Sequence, residues 1–146
     1  MKLIKKSQKI QMFKNWEKET TEENAGEPVL KLFNPAGAAT WLLTSMDPED
    51  EDTMFGLCDL GMGCPELGTV SMSELAALET RVQLGPYSMP MKIERDLYFK
   101  ATHPLRVYTE ASIEAGRITE DEQHLASAAR RMAEEDARQT AASATT

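Results

Sequence analysis

The sequence predicts an α+β fold: an antiparallel meander of four or five short strands covered by one main helix, with an N-terminal amphipathic arm and an exposed C-terminal helix. Three observations predict it. Apolar runs at 29–33, 41–46, 54–60 and 67–72 follow one another across brief turn-rich connections, the pattern of consecutive strands that pair antiparallel. Ser71 stands three residues before Glu74, the spacing of a capping box, so the fourth run passes directly into a helix. Behind it Leu75, Leu78 and Val82 recur at helical spacing, which predicts a helix over 72–84 stopped by Gly85-Pro86.

A chain of 146 residues supports one domain with a core of its own. We place a basic amphipathic arm and loop at 1–27, the single α+β domain at 28–116, and an Ala-rich helical tail at 117–146. The net charge of −8 disfavours direct binding to nucleic acid, which rests on clustered Lys and Arg. A protein partner with a basic surface suits it better. Two cysteines are too few for a secreted disulfide scaffold, and no apolar run approaches the roughly 20 residues that span a bilayer. A soluble, cytoplasmic protein without a membrane partner is expected.

Taken in order, residues 1–16 carry five lysines and no acid, interleaved with Ile10, Phe13 and Trp16, which share one helical side. That side docks on the sheet in the simpler reading; a basic arm touching a membrane surface or nucleic acid is the other. Residues 17–27 read as a loop entering the first strand through Pro28, and Asn34-Pro35-Ala36-Gly37 closes that strand with a turn. The connection between the second and third strands holds Asp47, Glu49, Asp50, Glu51 and Asp52. Such a cluster reads as a solvated tip, as a divalent-cation site, or as an anionic patch that imitates phosphate before a basic groove. It lacks the Gly and terminal Glu of a calcium loop, so no metal is assigned.

Cys58 and Cys64 fit neither a metal knuckle nor a CxxC redox pair, and no cofactor motif is present. The loop 87–92 crosses the surface. Residues 93–99 form a further strand with Leu97 and Phe99 on one face and Asp96 and Tyr98 on the other. Arg95 between two acids is a structural clamp, or it belongs to an anion-ligand or catalytic site with Asp59, Glu66, Asp96 and Tyr98. Leu57, Leu67, Leu75 and Leu97 are expected in one shared core. Gly116 closes a short helix after Pro104, and Thr119 with Glu122 opens a second through another capping box. That last helix runs to about Arg138 with a thin apolar stripe, Leu125 and Met132, and 140–146 are expected to be disordered.

Phe33-Asn34-Pro35 with Thr40-Trp41, Phe55-Gly56-Leu57 leading to Glu66-Leu67-Gly68 and Ser71-x-Ser73-Glu74-Leu75, and then the segment 94–99 occur here in a fixed order. The chain resembles in these the bacterial domain-of-unknown-function family DUF2958, over about residues 28–105. The resemblance implies a small α+β domain encoded on plasmids, integrative elements and phages, near genes for transfer or for evading host defence; it implies no catalytic residue. Two functions are carried forward. The first is a non-enzymatic interaction module of a mobile element, an acidic inhibitor of a host defence nuclease such as a restriction or CRISPR complex. The alternative is a small enzyme or anion-binding domain centred on Arg95 and Asp96.

Overall fold

The computed structural model describes residues 2–18 and 26–144. The elements are α1 (Lys6–Lys18), β1 (Leu30–Phe33), β2 (Thr40–Met46), β3 (Thr53–Asp59), β4 (Glu66–Ser71), α2 (Met72–Ala77), β5 (Glu79–Leu84), β6 (Tyr87–Lys92), β7 (Glu94–Arg95), α3 (Leu105–Ala115) and α4 (Glu122–Ala144). Five strands pair antiparallel in the order β4-β3-β2-β1-β7, and β5 with β6 makes a separate two-stranded ribbon. The predicted α+β class and the antiparallel meander hold.

Both faces of the sheet are covered, which is why β2 is buried at every position from Trp41 to Met46 instead of alternating. Met12, Leu30, Leu32, Trp41, Leu43, Met54 and Leu75 pack on one face. Leu42 and Leu57 pack on the other, against Leu105 and Tyr108 of α3 and Leu125 and Ala128 of α4. The expectation of one shared core is corrected here. Leu75 belongs to the first cluster, Leu57 and Leu67 to the second, and Leu97 is 54% exposed.

The N-terminal arm docks as a helix, but through a different residue from the one the periodicity picked out. Met12 is fully buried while Ile10 is exposed, with Phe13 and Trp16 half-buried. Asn15 Nδ2 donates to the Thr44 carbonyl at 2.8 Å. Thr44 lies where the β2–β3 register slips between Leu43 and Ser45, so a bulge presents this carbonyl to the helix. Most of the predicted 17–27 loop, residues 19–25, lies outside the described residues.

The predicted 72–84 helix is only its first six residues. Ser71 caps it as expected, accepting from the Glu74 N–H at 3.2 Å. Beyond Leu78 the chain turns extended and forms the ribbon, because Thr80, Val82 and Leu84 alternate with polar residues. Gly85, at φ 62°, then fills the first position of a two-residue hairpin loop that demands a positive φ. The predicted strand 93–99 shrinks to β7, since the Asp96 carboxylate accepts the Tyr98 N–H at 2.8 Å and bends the chain out of the ladder.

Gly116 closes α3 in the left-handed conformation as read, with φ 75°. The cap of α4 is Asp121, whose carboxylate accepts from Gln123 N at 2.9 Å and His124 N at 3.3 Å, in place of the Thr119–Glu122 box. Leu125 and Ala128 dock the first half of α4 on α3, and residues 133–144 stand exposed. Helix continues through Ala144, which corrects the expected disorder of 140–144; residues 145 and 146 lie outside the described residues.

Candidate functional site

The acidic connection 47–52 is a fixed loop, built by its own side chains. Asp47 accepts the Glu49 N–H at 2.9 Å. Asp50 Oδ1 accepts the N–H groups of Asp52 and Thr53 at 2.9 and 3.0 Å, and its Oδ2 accepts the Thr53 hydroxyl at 2.7 Å. Asp52 reaches across to the start of α2, taking the Ser71 hydroxyl at 2.6 Å and the Ser73 N–H at 2.8 Å. Glu51 adopts φ 53°, an uncommon conformation outside glycine, and pairs with Lys9 of α1 at 2.9 Å. Glu49 is exposed.

These bonds fix charge as well as backbone. The Thr53 hydroxyl, followed by the Asp52 and Thr53 N–H groups, holds Asp50 below the ordinary aspartate range; the Ser71 hydroxyl, followed by the Ser73 N–H, does the same for Asp52. Folded-state values lowered in this way contribute stability that is complete above the ordinary aspartate pKa of about 3.9 and is lost as pH falls through the lower folded values. Urea unfolding of the wild type and Asp52→Asn across acid pH checks the sign: the variant is the less stable at neutral pH, and the two midpoints converge in acid.

The five residues of the alternative site are not brought together. Glu66, Cys58, Trp41, Leu32 and Arg95 lie in one row across β4-β3-β2-β1-β7, so Glu66 and Arg95 are four strand spacings apart, roughly 19 Å. Asp59, next along β3 from Cys58, faces the opposite side. It is buried, its two oxygens accepting the N–H groups of Gly61 at 2.8 Å and Ile118 at 2.9 Å. Arg95 Nη1 donates to the Lys2 carbonyl at 2.7 Å, tying the N-terminal segment to the β7 edge. Tyr98 is 93% exposed.

Asp96 belongs instead to an ion-pair cluster that composition did not reveal. Lys31 of β1 contacts Asp96 at 3.3 Å and also Glu120, before α4. Burial pulls the Lys31 pKa down, but the Glu120 and Asp96 carboxylates outweigh it and leave the net shift upward, so the ammonium is held charged between them. Its signal in the sequence was weak: a lone lysine among apolar strand residues.

A groove of about 310 Å³ opens beside the edge strand β4, lined by Trp41, Cys58, Leu60, Met62, Cys64 and Glu66 among others. Burial, and after it the Glu66 carboxylate, pushes the Cys58 thiol up to about 11, so it supplies no thiolate near neutral pH. Among the described residues no group of three or more His, Cys, Asp and Glu side chains is placed to hold a metal ion. No helix among them is long and apolar enough to cross a membrane.

Fold and surface together define a small α+β domain whose central strand β2 is covered on both faces and whose edge strand β4 borders an open groove. The chain belongs to the DUF2958 family, described as a protein of unknown function, whose profile matches residues 3–119. The match takes in α1 and α3 and so exceeds the 28–105 span carried by the sequence motifs. Comparison with curated proteins and with solved structures finds no match to this chain.

Proposed function

We propose that the protein is a non-enzymatic interaction module of a mobile genetic element, which sets its acidic loop against the basic, nucleic-acid-binding surface of a host defence complex of the restriction or CRISPR type. One observation carries the reading: the loop 47–52 holds its backbone by its own side-chain bonds, so its carboxylates are presented in a fixed arrangement. A flexible acidic tip loses conformational entropy on binding; a fixed one is preorganised to meet cations spaced like those that grip a phosphate backbone. The net charge of −8 adds long-range attraction to such a surface.

The loop geometry also dictates a clean test. Asp47, Asp50 and Asp52 hold the loop together, so neutralising them confounds charge with folding. Glu49 and Glu51 are the two whose carboxylates leave the backbone alone. Tagged protein is used to capture partners from bacterial lysate and is washed with rising salt, from about 0.1 M, where the screening length is about 10 Å, to about 1 M, where it is about 3 Å. The expected partner leaves as salt rises, and leaves earlier from Glu49→Gln/Glu51→Gln. Retention at the highest salt, unchanged in the double variant, contradicts the proposal.

A further inference from the structure

The five-stranded sheet ends in two unlike edges. On the β7 side the edge is blunted: the strand is two residues long, Asp96 bends the chain out of the ladder, and Arg95 Nη1 ties the N-terminal segment to it through the Lys2 carbonyl. On the other side β4 runs for six residues with neither Lys nor Pro to guard it, and β3 is its one strand neighbour. Among the described residues no backbone group outside that ladder bonds to the main chain of Glu66–Val70. Every second residue of an antiparallel strand turns its N–H and C=O together away from its partner, so β4 presents a row of unpaired donors and acceptors. The occupant that matches such a row is another extended chain.

The groove runs along this edge, lined by every residue from Glu66 to Val70. Glu66, Gly68 and Val70 share the face that carries Cys58 and Trp41, so Gly68 leaves a gap between two side chains. A Cβ at Gly68 would meet nothing within 4 Å. In a strand added beside β4, the residue opposite Gly68 puts its side chain on this face, among Trp41, Leu60, Met62 and Val70. Leu60 and Met62 stand exposed there, apolar surface ready to be covered.

Charge selects the occupant further. No Lys or Arg occurs between Lys31 and Arg81, the stretch that supplies β2, β3, β4 and the connections around this edge. Acids stand at both ends of β4: Glu66 at its start, and at its finish Asp52, bonded to Ser71, with Glu74 in the first turn of α2. Two copies paired antiparallel through β4 would bring the Glu66 end of one beside the Asp52 and Glu74 end of the other, like charge against like. A basic segment gains where a second copy loses.

We infer that the open edge of β4 takes up an extended segment of a basic partner protein as a further strand of the sheet, with an apolar side chain over Gly68 and Lys or Arg residues toward the acids at the two ends. Main-chain bonds supply affinity, and the gap at Gly68 supplies the choice of side chain. Glu49 and Glu51 take no part, so this site and the acidic-loop reading can fail separately.

A random heptapeptide library displayed on phage and selected on the full chain tests this. Selected peptides are expected to carry an apolar residue flanked by Lys or Arg. Methylating their backbone nitrogens one at a time should abolish binding at alternate positions and spare those between, the mark of an added strand. Gly68→Phe, confirmed as folded by circular dichroism, should weaken binding by about tenfold or more. Glu66→Lys should weaken it too, with rescue by a peptide in which a flanking cation is replaced by Glu, whereas Glu49→Gln/Glu51→Gln should bind as wild type does. A selection that enriches nothing, a methylation scan without alternation, or full binding by Gly68→Phe overturns the inference. So does a wild type that sediments as a dimer while Gly68→Phe stays a monomer, because a second copy then fills the edge.

Discussion

Gly56→Ala is expected to be the most damaging single methyl group that can be added to this sheet. A Cβ at Gly56 would lie 2.1 Å from the Leu42 carbonyl oxygen and 2.7 Å from the Leu43 Cα, both backbone atoms of the central strand β2 that cannot swing aside. Overpacking a core commonly costs 1–3 kcal/mol, and a clash with backbone belongs to the exceptional class, so the expected loss is about 4 kcal/mol. Against a total stability of about 5–15 kcal/mol this leaves a marginal protein, its melting temperature lowered by about 15 °C or its folding abolished. The control lies directly across the ladder. Gly68 pairs with Gly56, yet its Cβ would meet nothing within 4 Å, so Gly68→Ala should melt within a few degrees of wild type. Thermal melts of the three proteins side by side make the check.

Asp59→Ala is the second large effect. The buried carboxylate joins the end of β3 to the α3–α4 connection through the Ile118 N–H and shapes the turn after β3 through the Gly61 N–H. Removing it deprives two donors of a charged acceptor, and bonds to charged groups are worth about 1.5–3 kcal/mol, so a loss of about 3 kcal/mol is expected. Asn, with one carbonyl oxygen, restores part of it. Urea titration of Asp59→Ala and Asp59→Asn resolves the order. A variant as stable as wild type would return Asp59 to the list of residues free to bind a ligand.

The first four strands were legible because each is a short apolar run bounded by turn residues, and sequential antiparallel pairing needs nothing from distant sequence. The ribbon was not, since Leu75, Leu78 and Val82 satisfy a helical period while Thr80, Val82 and Leu84 satisfy a period of two. The deciding clue was Gly85 at the head of a two-residue loop. The acidic loop was visible as composition, but its construction was not: Asp52 caps α2 only because Thr53 pairs with Ser71, a register that no local pattern encodes. Strand order had the same effect on the alternative site. Arg95 and Glu66 stand in one row of the sheet, and only the position of β7 at the far edge shows that the row is too long for them to meet.

Competition is the most direct measurement of the central claim, that the acidic loop occupies a surface made for nucleic acid. With a captured partner complex in hand, a labelled DNA or RNA probe of that complex is titrated in the presence of increasing amounts of this protein. The account predicts mutually exclusive binding: the probe's apparent affinity falls in proportion to the protein added, and Glu49→Gln/Glu51→Gln requires a higher concentration for the same displacement. A ternary complex in which the probe and this protein are held together at undiminished affinity contradicts it.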